Sequence, residues 1–75
     1  MKRPKRIGIK DIFLNKEWEF ISIIDSDKRY RIEAKRPPVK GELNHFIGYA
    51  SREYTQTLAS DYRNGIMLLL RSLEN

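Results

Sequence analysis

Glu17-Trp18-Glu19-Phe20-Ile21-Ser22-Ile23-Ile24, Asp25-Ser26-Asp27-Lys28 and Arg29-Tyr30-Arg31-Ile32-Glu33-Ala34-Lys35 follow one another without a gap, and their reading decides the fold. The first block is rich in aromatic and β-branched residues, which suit a pleated, half-buried surface. The second is a turn cluster. The third sets charged residues at odd positions and less polar ones at even positions, the period-2 pattern of a strand with one buried face. Together they predict a β-hairpin. Because a lone hairpin is marginal in water, Ile7 to Leu14 is expected to supply a third strand, although Ile9, Ile12 and Phe13 also fit one turn of helix.

The hairpin register decides which aromatics reach the surface. A three-residue loop, Asp25 to Asp27, sets Phe20 opposite Ile32 and Trp18 opposite Ala34, with both aromatics in the core. A two- or four-residue loop pairs Ile21 with Ile32 and Ile23 with Tyr30, and turns Trp18 and Phe20 outward beside Arg31 and Lys35. A slip of one residue exchanges the faces, and both registers are open at this point. In either one, Arg29, Arg31, Glu33 and Lys35 lie opposite Tyr30 and Ile32.

Downstream, Arg36-Pro37-Pro38-Val39-Lys40-Gly41 excludes helix interior and central strand, because consecutive prolines lack the N–H both require. Residues 36–41 are therefore an extended connector. Beyond it, Tyr54, Leu58, Tyr62, Ile66, Leu69, Leu70 and Leu73 recur at helical steps, with Ser51 placed to cap. Leu43, Phe46, Ile47 and Ala50 continue the spacing upstream, so 42–74 reads as helical. His45 to Tyr49 is an alternative strand. The predicted fold class is thus α+β: a small antiparallel sheet of two or three strands in the N-terminal half, followed by a C-terminal helical segment packed on it. The organisation is a single small domain over 1–75, with a basic arm (1–6) expected to be flexible, a β-meander (7–35), the connector and the helical part.

A chain of 75 residues with no cysteine builds one modest core, without disulfides or thiolate metal sites. A deep catalytic cleft is not expected. The net charge of +5 is unevenly spread: residues 1–40 hold twelve basic and six acidic groups, residues 41–75 three and four. Such asymmetry points to an anionic partner, although basic charge also serves solubility alone. Lys2, Arg3, Lys5 and Arg6 form the arm, and Arg29, Arg31, Lys35, Arg36 and Lys40 lie along one strand and its exit. These nine are the candidate nucleic-acid-binding residues, acting by release of counterions from phosphates, with DNA ahead of RNA. Outward-facing Trp18 or Phe20 would add a stacking platform. The competing reading is a charged face that keeps a sheet edge from aggregating.

Other constellations are weaker. Glu33-Ala34-Lys35, after Asp25 and Asp27, resembles the acid-x-lysine arrangement of metal-dependent nucleases. Such triplets are frequent by chance, and both side chains belong to a solvent-facing strand surface. His45 is the single histidine and reads as a partly exposed residue at a helix start or in a loop, without partners for a metal site. No G-x-x-x-x-G-K loop is present. On a helical wheel from Leu58, Met67 and Leu68 fall off the apolar stripe. They are the candidate interface of a homodimer, or of a contact with a protein target. The function expected from the sequence is a small basic, non-catalytic accessory or regulatory protein that binds nucleic acid without cofactor or metal. A small protein-binding inhibitor or adaptor, acting through the C-terminal helix or the sheet face, is the alternative. The chain shows no apolar run long enough for a signal or a membrane span, and the cytoplasm is the expected compartment.

Overall fold

A computed structural model describes residues 7–74, and the basic arm, with Lys2, Arg3, Lys5 and Arg6, lies outside the described residues. The order is α1 (Ile9–Leu14), β1 (Glu19–Ser26), β2 (Arg29–Lys35), β3 (His45–Ser51), α2 (Arg52–Tyr62) and α3 (Asn64–Glu74). The strands form one antiparallel sheet in the order β1-β2-β3, and the helices cover one of its faces. The α+β class and the helical C-terminus are as expected; the identity of two elements is not.

The first correction is α1. Ile12 and Phe13 are both fully buried, which a strand cannot arrange for adjacent residues on a one-sided sheet. A helix turns Ile9, Ile12 and Phe13 to one side. Asp11 closes its first turn by accepting from the Gly8 N–H at 3.0 Å. At the other end Asn15 makes the turn into β1: its carbonyl accepts from the Trp18 N–H at 3.1 Å and its side chain from the Glu17 N–H at 3.0 Å.

The second correction is β3, which replaces the helix expected over 42–50. Its core side is Phe46, Gly48 and Ala50. Two of these are small, so the period-2 contrast is muted. Gly48 is needed: a Cβ there would lie 2.6 Å from Cζ of Phe46, whose ring folds back over it. Gly48→Ala is expected to cost about 1–3 kcal/mol by overpacking. In a Phe46→Ala background the same change should cost less, a non-additivity that urea denaturation of the four variants would read.

The hairpin closes through Asp27 and Lys28, since Ser26 pairs with Arg29. Asp27 takes the positive φ (59°) that tight hairpins require. Ile23 then faces Ile32, and a bulge at Ile21 shifts the register so that Phe20 faces Ala34. Neither expected register is correct: the turn falls at Asp27–Lys28, later in the chain than either register places it, and the bulge then adds one residue to β1. Trp18 is in the core (1% exposed) and Phe20 is half-buried, with its ring 4.9 Å from that of Phe13. The connector turns at Val39–Glu42, with Gly41 at φ 81° and a 3.0 Å bond from Glu42 N–H to the Val39 carbonyl.

The core has two neighbouring parts. Phe13, Ile23, Tyr30, Ile32, Ala50, Leu58, Ala59 and Leu70 form the larger one. Ile12, Trp18 and Ala34 form the smaller, flanked by Ile7, Phe20 and Phe46. The C-terminal helix is broken at Arg63, which separates α2 from α3 and resets the apolar phase. Leu70 is therefore fully buried and Ile66, Met67 and Leu73 pack on the core, while Tyr62 and Leu69 turn to solvent. Ser51 caps α2 as expected, accepting from the Tyr54 N–H at 3.1 Å.

Arg63 also ties the helical joint to the start of the sheet. Its Nε donates to the Phe13 carbonyl (3.2 Å) and its Nη2 to those of Asn15 (2.9 Å) and Trp18 (3.1 Å). These carbonyls end α1 and lead into β1. Arg63→Ala is expected to lower stability by about 2 kcal/mol, the scale of bonds from a charged donor. Arg63→Lys should recover only part of this, because the ammonium keeps the charge and loses the planar fork. Chemical denaturation of both variants checks the order.

Candidate nucleic-acid interface

With α1, α2 and α3 on one side, no element among the described residues covers the other side of the sheet, and its composition follows from the register. Cross-strand partners form four rows: Glu19–Lys35–His45, Ser22–Glu33–Ile47, Ile24–Arg31–Tyr49 and Ser26–Arg29–Ser51. The alternation of Arg29 to Lys35 places every charge of β2 on this surface, while Tyr30, Ile32 and Ala34 are buried. The strand measures about 20 Å at its usual rise, so the three cations are spread along the face rather than bunched.

Two interactions order the middle of the face. The Arg29 guanidinium lies 4.4 Å from the Tyr49 ring centroid, a stacked arrangement that leaves the cation accessible to an anion. Glu33 holds two neighbours: Arg31 at 3.7 Å and His45, whose Nε2 donates to Oε2 at 2.8 Å. His45 thus opens an edge strand, not a helix, and is committed to Glu33. Three cations face two carboxylates here, with Lys35 exposed beside Glu19 and Arg31 half-buried between Ile24 and Tyr49.

The remaining sequence-picked cations separate. Arg36 is withdrawn from the face: its Nε donates to the Leu43 carbonyl at 2.7 Å, its Nη2 meets Glu42 at 3.5 Å, and its guanidinium covers Trp18 at 4.7 Å. It seals the core beneath the connector. Lys40 is exposed in the connector turn, off the Lys35–His45 end of the sheet. Of the candidate interface pair, Met67 packs on the core and only Leu68, 70% exposed, faces outward.

Sequence reading missed Tyr49, Ile24 and Ile47, each about half exposed at 48–49%, and Lys28, exposed in the hairpin turn. Tyr49 and Ile47 were legible only once 45–51 was read as a strand. The aromatic on the open face is thus Tyr49, not Trp18 or Phe20. Among the described residues no group of three or more His, Cys, Asp or Glu is placed to hold a metal ion, and no helix is long and apolar enough to cross a membrane.

These features define a small α+β domain that presents one bare sheet face bearing arginine, lysine and tyrosine. Compared with protein-family models, curated proteins and solved structures, the chain matches none of them.

Proposed function

We propose that this protein is a small non-catalytic accessory or regulatory factor that binds nucleic acid on the open face of its sheet. The observation that supports this most is the placement of Arg29, Arg31 and Lys35 on one uncovered surface with Tyr49 among them. Arginine and lysine contact phosphates, and a tyrosine ring supplies a face for a base. Lys28 and Lys40 are exposed beyond the two ends of β2, and residues 2–6 contribute four further cations to the charge of the chain.

Glu33 works against this binding, because its carboxylate sits among the cations. Glu33→Gln is therefore expected to tighten binding to duplex DNA in a salt titration. Weaker binding by this variant would mean that Glu33 is needed to position Arg31 and His45.

A second reading rests on the C-terminal helices, where Leu68 (70%) and Leu69 (43%) of α3 and Tyr62 (39%) of α2 are exposed. Such residues on a helix suit a protein target. The two readings separate in one experiment. Binding to duplex or single-stranded DNA or RNA that falls steeply with salt supports the first, and no binding to any of them at low salt leaves the adaptor reading.

A further inference from the structure

A three-stranded sheet in the order β1-β2-β3 has two edges, and they are unlike. The β1 edge carries a bulge at Ile21 and the acidic residues Glu19 and Asp25. Bulges and charges are the devices by which proteins prevent strands from adding to an edge. The β3 edge, His45-Phe46-Ile47-Gly48-Tyr49-Ala50-Ser51, has neither bulge nor proline, and no lysine, arginine, aspartate or glutamate. Among the described residues, no backbone–backbone hydrogen bond outside the sheet and the helices reaches it. Its unpaired N–H and C=O groups are a template for another strand.

We propose that this edge is occupied by β3 of a second copy, in an antiparallel pair about a two-fold axis at Gly48. The sequence of the strand is complementary to itself in that register. Paired residues must share a face, and centring on Gly48 meets this rule while pairing all seven residues of the strand. Ile47 then meets Tyr49 of the other copy, twice, on the open face. This β-branched–aromatic pairing is favourable across strands, and it brings together, side by side on the open face, two side chains that are half exposed in the single chain. On the core side bulky Phe46 meets small Ala50, and glycine meets glycine at the axis. His45 meets Ser51, so no like charges oppose each other. A peptide of unrelated sequence would have no reason to match this large-against-small order, whereas a second copy matches it by construction.

The result is a continuous six-stranded sheet, β1-β2-β3-β3-β2-β1. The two β2 strands lie about 14 Å apart across it, at three strand spacings. Both sets of Arg29, Arg31 and Lys35 share one surface. A single strand pair is at the small end of stable interfaces, so the dimer is expected to dissociate in the micromolar range.

Sedimentation equilibrium of the intact chain is the test, with circular dichroism on every variant. The wild type should approach twice its 8.9 kDa mass at high micromolar concentration. Ile47→Lys should return it to the single-chain mass, and Leu68→Lys, on α3, should leave the dimer unchanged. A wild type that stays at 8.9 kDa overturns the proposal. So does a dimer that survives Ile47→Lys or is lost with Leu68→Lys. Should Ile47→Lys fail to fold, the absence of native cysteine offers a second route. His45→Cys with Ser51→Cys should form a disulfide-linked dimer on mild oxidation, since opposed residues in antiparallel strands have Cα atoms within bridging distance. Leu68→Cys should not. Failure of the His45/Ser51 pair to cross-link, in a folded protein, also overturns the proposal.

Discussion

Replacing Trp18 by alanine is expected to remove a large share of the stability of the molecule. The ring is 1% exposed and packs with Ile12 and Ala34, flanked by Ile7, Phe20 and Phe46. Arg36 closes it from above. Truncating a buried tryptophan costs about 3–5 kcal/mol. A domain of this length has a total of roughly 4–11 kcal/mol to lose. Trp18→Phe, which keeps an aromatic ring in the site, should cost much less. The check is the urea midpoint by circular dichroism. The wild-type protein offers an independent one: its single tryptophan should resist quenching by a soluble quencher, and should stay unquenched when nucleic acid is added. A Trp18→Ala variant as stable as the wild type would mean that the ring is not part of the core.

The second large effect concerns binding. Replacing Arg29, Arg31 and Lys35 together by alanine should weaken association with duplex DNA by roughly 10- to 100-fold at low salt, and flatten the slope of log K against log salt by about 0.9 for each phosphate that is no longer neutralised. Stability should change little, since these side chains lie on the solvent side of β2 and the buried row beneath them is untouched. Arg36→Ala is the informative contrast. If the guanidinium serves the core, this change lowers the unfolding midpoint and leaves the salt slope in place. An unchanged slope in the triple variant would remove the sheet face from the proposed function.

How far the sequence led depends on where its pattern was loud. Arg29 to Lys35 alternates without exception, and β2 is the central strand that everything else is placed against. Ser51 announced the start of α2 by its capping chemistry. The register was not legible, because it depends on which residues of Asp25-Ser26-Asp27-Lys28 make the turn and on a bulge at Ile21, and nothing in Phe20-Ile21-Ser22 distinguishes the extra residue from its neighbours. β3 was obscured by Gly48 and Ala50. Small residues on its inner side leave Leu43, Phe46, Ile47 and Ala50 to imitate a helix, while at Gly48 the space of a side chain is taken by the Phe46 ring. The break between α2 and α3 had a signal, the turn-favouring Asn64-Gly65 pair, but it was outweighed by the long apolar stripe. That error carried over to the candidate site by placing Met67 outside the core. The cations of β2 were legible as a group. That Arg36 belongs to Trp18 and Arg63 to three backbone carbonyls was not, since both depend on contacts between distant parts of the chain.

The reach of Arg63 has a kinetic consequence. Its three acceptors lie 45 to 50 residues away in sequence, whereas the β1–β2 hairpin joins residues that are neighbours along the chain. Contacts of short separation close quickly, and those of long separation must wait until the intervening chain is ordered. We expect the hairpin to belong to the folding nucleus and the arginine clamp to form on the native side of the barrier. Loss of the clamp in Arg63→Ala should then shorten the lifetime of the folded state and leave the rate of refolding almost unchanged. Weakening the hairpin at Ile23 or Ile32 should slow refolding instead. In stopped-flow chevrons the two kinds of variant would move opposite arms, so the arginine sets how long the structure lasts rather than how fast it is reached.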